Sequence, residues 1–195
     1  NDTTVIGFNY INGNSVSFQN NNGEVTIPWN DSYAVTDKFT IEAYINVNSA
    51  QNYEGFLDFG NHSVDTLQQR GFGFFLYSGG WRFYLKTTET NYDDIGYLVA
   101  SASINTWVHF AVTLKNENLT LYRDGIFVDS TDYEGTVDWS GFSGDLKLGS
   151  FNKTETKFFD GKIDEVRFWN IARDENLIKA YNCLLYTSDA ADDDH

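Results

Sequence analysis

Methionine is missing from the sequence altogether, and cysteine and proline occur once each in 195 residues. Without an initiator Met, the sequence reads as a processed or excised segment. A single Cys cannot form an internal disulfide, and a structural zinc site needs several Cys or His ligands at short spacing; both architectures are excluded. Basic residues are scarce as well, with 13 Lys and Arg against 28 Asp and Glu and a formal charge of −15. Nucleic-acid binding needs clustered cations that this balance does not supply, and the same charge opposes anionic membrane surfaces. No apolar run approaches the roughly 20 residues that cross a bilayer, so membrane insertion is not expected. The first 30 residues lack a basic start followed by an apolar core, so they do not read as a signal peptide.

What remains is rich in rings. Aromatic residues make up 17% of the chain while all hydrophobic types together reach 41%. From residue 3 to about 170, short apolar-rich runs alternate with Asn, Gly, Asp and Ser clusters, the pattern of an antiparallel all-β domain. Phe39-Thr-Ile-Glu-Ala-Tyr-Ile-Asn46 alternates over eight residues. Gly71 to Tyr77, a Ser78-Gly-Gly80 turn and Trp81 to Leu85 predict a hairpin, and Asp124-Gly125 is the strongest hairpin signal in the chain. About a dozen strands are expected. One short helix is expected over Asp174–Tyr181, with acids in its first turn and Leu177, Ile178 and Tyr181 as its apolar set.

The last segment breaks this pattern. Cys183 to about Asp193 resembles the translation of a transposase-type sequencing adapter, which appears at the ends of metagenomic reading frames. Residues 183–195 are therefore read as a non-native or disordered tail and 1–182 as one domain. Setting aside Asp189, Asp192, Asp193 and Asp194 moves the formal charge from −15 to −11. The domain is expected to come from a longer protein.

Several segments together carry a family resemblance. Asn14-Ser-Val-Ser-Phe-Gln-Asn20 with Glu24-Val-Thr-Ile-Pro28 resembles an opening hairpin, and Phe39-Thr-Ile-Glu-Ala-Tyr-Ile45 resembles an "FT-x-E-A-W-V" strand with Tyr44 in the Trp place. Asn105 to Leu114 and Leu121-Tyr-Arg-Asp-Gly125 resemble a central strand pair. Gly161-Lys-Ile-Asp-Glu-Val-Arg-Phe-Trp-Asn-Ile-Ala-Arg173 resembles the closing strand and small terminal helix. In this order, over residues 5 to 182, they resemble the laminin-G-like (pentraxin-like) jelly roll of the concanavalin A-like lectin/glucanase superfamily. The resemblance implies an all-β, two-sheet antiparallel jelly-roll sandwich with one short C-terminal helix, one sheet being concave and open to solvent. Trp107 and Trp169 resemble core positions of that family.

The superfamily includes glycoside hydrolases, which need two carboxylates across a cleft. The E-x-D-x-E-like strand of the hydrolytic relatives is not found here. Asp93-Asp94 and Asp132-Tyr-Glu134 lie in turn-rich stretches, and Asp164 and Glu165 are strand neighbours whose side chains should point to opposite faces. The chain is therefore not expected to be an enzyme.

Carbohydrate binding uses different residues: exposed rings stack on the C–H faces of sugars while polar side chains bond the hydroxyls. Period-two alternation in the 71–86 hairpin sends Phe72, Phe74, Leu76, Trp81, Phe83 and Leu85 inward. It leaves Phe75, Tyr77, Arg82, Tyr84 and Lys86 outward. The same rule in strand 39–46 leaves Glu42 and Tyr44 outward. Glu42, Tyr44, Phe75, Tyr77, Arg82 and Tyr84 are thus the candidate ligand platform on the concave sheet. The alternative is that these rings pack under loops or against a neighbouring domain. Trp29, Tyr33, Tyr53, Tyr92, Tyr97, Tyr133 and Trp139 fall among turn residues, either at a second, loop-end site or as plugs of the sandwich ends.

Related jelly rolls hold a structural Ca²⁺, which takes six to eight oxygens. The resemblance puts a calcium carboxylate at Asp164, and Asn20, Asn22 and Glu24 are possible partners by oxygen chemistry. Five N-x-[ST] sequons, at Asn1, Asn30, Asn61, Asn118 and Asn152, arise easily by chance in so Asn-rich a chain. The expected function is a non-catalytic glycan- or polysaccharide-binding module, tethered to other domains of a secreted or cell-surface bacterial protein. The alternative is an adhesion or architectural module that binds protein without binding sugar.

Overall fold

A computed structural model describes residues 5–7, 15–19, 23–61, 70–89, 97–142, 144–151 and 157–180. Two antiparallel sheets stack face to face. Their strands are β1 (Val5–Gly7), β2 (Val16–Phe18), β3 (Val25–Ile27), β4 (Lys38–Val47), β5 (Gly55–Asn61), β6 (Arg70–Tyr77), β7 (Gly80–Leu85) and β8 (Tyr97–Ser101). They continue as β9 (Trp107–Lys115), β10 (Asn118–Arg123), β11 (Ile126–Asp132), β12 (Leu146–Leu148) and β15 (Gly161–Trp169). A separate small ribbon pairs β13 (Ser150–Phe151) with β14 (Lys157–Phe158). The seven-stranded sheet runs β1-β15-β4-β9-β10-β11, with β2 also on β15; the six-stranded sheet runs β3-β12-β5-β6-β7-β8. This is the expected jelly-roll sandwich, with more and shorter strands than the dozen expected.

The turns follow from local chemistry. Ser78 and Gly79 have φ of 53° and 75°, and Asp124 and Gly125 have 52° and 73°, so both hairpins close through two left-handed residues, the twist that suits flanking strands. The alternation expected for the 71–86 hairpin and for β4 is present. Phe72, Phe74, Leu76, Trp81, Phe83 and Leu85 join Phe39, Ile41, Ala43 and Ile45 in one core between the sheets. That core is largely a lattice of rings: Phe39 stacks on Phe72 at 4.7 Å between centroids, and Phe74 meets Phe110 edge-on at 5.3 Å.

The chain ends its described part in a single helix, α1, over residues 175–180. Asp174 caps it by accepting the Leu177 amide at 2.9 Å. Ile178 is fully buried, as the expected apolar stripe requires, whereas Leu177 is 45% exposed. The segment leading into α1 crosses the outer face of the seven-stranded sheet. Thr40 Oγ1 donates to the Ile171 carbonyl at 2.8 Å and accepts the Arg173 amide at 2.8 Å. Burial and the nearby charges of Glu175 and Asp174 push the Tyr122 phenol above 10.0, against a hydrogen bond to Thr113. The start of α1 therefore lies near β10.

Candidate functional site

The six expected ligand residues fall on two different sheets. Glu42 and Tyr44 lie on β4, in the seven-stranded sheet, while Phe75, Tyr77, Arg82 and Tyr84 lie on β6 and β7, in the six-stranded one. Both sets point away from the core, but from opposite sides of the sandwich, so the single six-residue platform does not form. Alternation fixes in or out along a strand and says nothing about which sheet the strand joins.

Glu42 and Tyr44 are also covered, being 2% and 8% exposed. Glu42 Oε1 accepts from Arg173 Nη1 at 2.6 Å and from Trp169 Nε1 at 3.1 Å, and Arg167 Nη1 stands 3.9 Å away. His109 Nε2 lies 3.6 Å from Oε2, and the Tyr44 ring packs on His109 at 4.8 Å. Burial would raise the Glu42 pKa, but the His109 hydrogen bond, the Arg173 and His109 charges and the Trp169 N–H outweigh it and hold it below 4.5. The Arg173 guanidinium covers the Trp169 ring at 4.6 Å. Trp169, expected in the core, belongs to this outer cluster instead. The group anchors the chain's last described segment to the sheet.

The outer face of the six-stranded sheet offers the accessible rings. Phe75 and Tyr84 form its floor, 3% and 0% exposed. Phe151 of β13 folds over them, stacking on Phe75 at 4.3 Å and meeting Tyr84 at 5.9 Å. Two glycines permit these approaches. A Cβ at Gly55 would lie 2.2 Å from Phe151 Cβ, and one at Gly73 would lie 2.3 Å from Tyr84 Cε1. Tyr84 Oη donates to Asp58 Oδ1 at 2.9 Å, within a buried pair. Beside this floor, Tyr77 is 36% exposed at the end of β6. Its ring carries the Arg82 guanidinium at 5.1 Å and leans on Tyr53 at 5.1 Å and 51°. Tyr53 has φ of 68° and sits in a loop sewn to β6, its amide donating to the Leu76 carbonyl at 2.7 Å, while Asn52 Oδ1 accepts the Ser78 amide at 2.6 Å.

Of the expected platform, Tyr77 and Arg82 are therefore the surface pair, Phe75 and Tyr84 their buried support. Tyr53 was expected only as a loop aromatic, and Phe151 and Asp58 were not singled out. Their roles depend on contacts across long stretches of sequence, which alternation does not encode.

The loop-end rings behave differently. Trp29, Tyr33, Trp139 and Phe142 are half-buried and pack on the core, with Trp29 5.2 Å from Trp139 and 4.8 Å from Phe142. Trp139 Nε1 donates to the Val35 carbonyl at 2.7 Å. Tyr133 is buried in the same core. They close the end of the sandwich. Tyr92 and the side chain of Tyr97 lie outside the described residues.

Of the expected calcium ligands, Glu24 and Asp164 lie among the described residues, each with protein partners. Asn20 and Asn22 lie outside them. Both Glu24 oxygens sit 3.2 Å from Lys147 Nζ, and Oε2 also accepts from Ser150 Oγ at 2.7 Å. Burial opposes these contacts, yet Ser150 and Lys147 pull the Glu24 pKa below 4.5. Asp164 Oδ1 accepts the Glu165 amide at 2.8 Å, where β15 bulges and Glu165 takes a φ of 50°. The bulge breaks the simple alternation expected of Asp164 and Glu165. Among the described residues, no group of three or more His, Cys, Asp or Glu could hold a metal ion.

A family model described as the concanavalin A-like lectin/glucanases superfamily, of the laminin G type, matches residues 10–179. The chain belongs to this superfamily. Comparison with curated proteins found no match. Among solved structures, this laminin-G-type domain is similar to domain 4 of AbnA, an extracellular arabinanase from Geobacillus stearothermophilus, in complex with arabinotriose. The identity is 14% and the TM-score 0.64, over 92% of this chain and 81% of that one. It is similar to the CBM40 of the Ruminococcus gnavus IT-sialidase bound to α2,3 sialyllactose, at 16% identity and TM-score 0.66, over 86% of this chain and 97% of that one. It also resembles the binding domain of botulinum neurotoxin serotype G, at 14% identity and TM-score 0.69. There it covers 93% of its own length and 45% of the toxin domain. At these identities the likeness is one of fold.

Proposed function

We propose that this domain is a non-catalytic carbohydrate-binding module that meets its glycan on the outer face of the six-stranded sheet, at Tyr77, Arg82 and Tyr53. The observation that carries the reading is the accessible Tyr77 ring with a guanidinium laid over it. Tyr77 and Tyr53 give the apolar C–H face of a pyranose or furanose ring something to stack on, and Arg82 brings several N–H donors to the hydroxyls around it. Phe75, Tyr84 and Phe151 hold these groups from beneath, so little side-chain freedom is lost on binding. Asp58, a carboxylate on this face, is 1% exposed and bonded to Tyr84, which suits a structural part better than acid–base chemistry. That several structural neighbours bind sugars supports the same reading, as does the extracellular arabinanase among them for a secreted or cell-surface parent protein.

The test is a glycan array of neutral and anionic polysaccharides followed by titration calorimetry on the best ligand. Binding is expected, and Tyr77→Ala should weaken it about tenfold or more, the effect of removing a central aromatic contact. An array without hits, or a hit that Tyr77→Ala and Arg82→Ala both leave unchanged, would refute this site.

A further inference from the structure

A two-residue hairpin turn leaves the amide of its first residue without a partner in the strand ladder. In the β6–β7 turn that amide belongs to Ser78, and Asn52 Oδ1, 26 residues away, accepts it at 2.6 Å. On the other flank, the Gly79 carbonyl accepts the Ala102 amide at 3.4 Å. Asn52 is followed by Tyr53, whose φ of 68° is a conformation that bulky side chains rarely adopt. Such a backbone persists only where its surroundings over-determine it, and it clusters at ligand clamps. Here the Tyr53 amide donates to the Leu76 carbonyl at 2.7 Å and the Leu76 amide donates to the Glu54 carbonyl at 2.8 Å, so the loop is tied to β6. The Tyr53 ring stacks with Phe75, the centroids 6.3 Å apart at 17°, and meets Tyr77 at 5.1 Å. Those bonds fix the loop but not the turn, which begins one residue after Tyr77. Asn52 closes that gap.

We propose that Asn52 is a positioning residue of the glycan site. By taking the Ser78 amide it locks the β6–β7 turn to the loop that carries Tyr53, and so sets the Tyr77 ring against Tyr53 before a ligand arrives. The inference rests on reading this face as the glycan site. What the clamp requires is an acceptor oxygen on a short side chain, which Asn supplies and Asp would supply equally. Asn52, Ser78 and Gly79 are exposed, and a Cβ at Gly79 would meet nothing within 4 Å, so the turn is held from its flank and stays open to a ligand. A site held in this way binds without first ordering a loop, and the ordering cost it avoids appears as affinity. Because the clamp is exposed, water replaces the bond when it is removed, so the fold should hardly register its loss.

The test compares Asn52→Ala with Asn52→Asp. Proton-exchange NMR reads the clamp itself: the Ser78 amide should exchange with water faster in Asn52→Ala and at the wild-type rate in Asn52→Asp. Titration calorimetry with cellohexaose, xylohexaose, laminarihexaose and oligogalacturonate reads the site, in about 0.3 M salt to screen the charge that Asp adds. On whichever probe the wild type binds, Asn52→Ala should lose affinity about two- to tenfold, the cost of ordering a side chain on binding, at a near-native melting temperature. Asn52→Asp should recover it. Undiminished affinity in Asn52→Ala despite a fast-exchanging Ser78 amide would overturn the proposal. Equal losses in both variants would overturn it as well, because they would make the carboxamide a ligand contact rather than a clamp. If Tyr77→Ala abolishes binding while Asn52→Ala leaves it intact, this inference alone fails; if the wild type binds no probe, the glycan reading of this face fails and the inference with it.

Discussion

Arg173 Nη1 lies 2.6 Å from Glu42 Oε1, and the two side chains, 131 residues apart in sequence, are buried together on the outer face of the seven-stranded sheet. The same guanidinium donates to the Leu177 carbonyl in α1 at 3.3 Å. One residue thus neutralises a buried carboxylate and ties the terminal helix to the sheet. Removing one partner of such a pair leaves an uncompensated charge, which costs more than the pair itself contributes. Arg173→Met is expected to destabilise the fold by about 3–5 kcal/mol in urea denaturation. The double variant Glu42→Gln with Arg173→Met should lose clearly less than the sum of the two single changes. Additive losses would mean that the pair is not coupled.

A pH dependence follows from the same cluster. The folded Glu42 pKa is held below 4.5, so its ionised form is favoured by folding. That stabilisation is fully present above the unfolded pKa and is lost as pH falls through the depressed folded value. Between about pH 5 and about pH 3 the wild-type melting temperature should fall more steeply than that of Glu42→Gln. Glu24 is lowered too, but it sits near the surface with Lys147, where solvent screens the pair. Glu24→Gln should therefore leave the acid limb nearly as it is. Parallel acid limbs for wild type and Glu42→Gln would contradict the assignment.

Much of this arrangement is legible in the sequence, and the division has a physical cause. Turn residues and alternation act within a few positions, so the hairpins at Ser78-Gly79 and Asp124-Gly125, and the inward sets of β4, β6 and β7, follow from local steric and solvation rules. Coverage does not. Glu42 looks like a solvent-facing acid until residues 171–178 fold back over it, and Phe75 and Tyr84 look like exposed rings until Phe151 folds across them. Each of those contacts spans about 70 residues or more, and no local pattern announces it. Tyr77 stays accessible because it stands at the end of β6, beside the Ser78-Gly79 turn.

The outer face of the six-stranded sheet should separate support from contact. Phe151→Ala removes a fully buried ring stacked on Phe75, and a cavity of that kind costs about 3–5 kcal/mol. Tyr77→Ala removes a half-exposed ring and should change stability by about 1 kcal/mol or less. If the glycan sits where proposed, Tyr77→Ala loses affinity at nearly native stability, whereas Phe151→Ala loses stability first. Thermal melts and calorimetric titration on the same samples decide this; a Tyr77→Ala protein as unstable as Phe151→Ala would make Tyr77 a packing residue.

Gly73 is the least visible part of the same face, and a single methyl tests it. Its backbone passes under the Tyr84 ring so closely that an added Cβ would stand 2.3 Å from Tyr84 Cε1 and 3.1 Å from the Leu57 carbonyl oxygen. Tyr84 is fully buried and bonded to Asp58, so it has no free volume in which to swing aside. Gly73→Ala must therefore either bend β6 or push the phenol off the Asp58 carboxylate, and overpacking of this kind costs about 1–3 kcal/mol. Tyr84→Phe isolates the second of these losses, since it keeps the ring and removes only the hydroxyl donor to a buried acid, also at about 1–3 kcal/mol. In the combination of Gly73→Ala with Tyr84→Phe, the hydrogen bond can be lost only once, so the double variant should be less destabilised than the sum. Strict additivity would place the strain of Gly73→Ala in the strand rather than in the Tyr84–Asp58 contact.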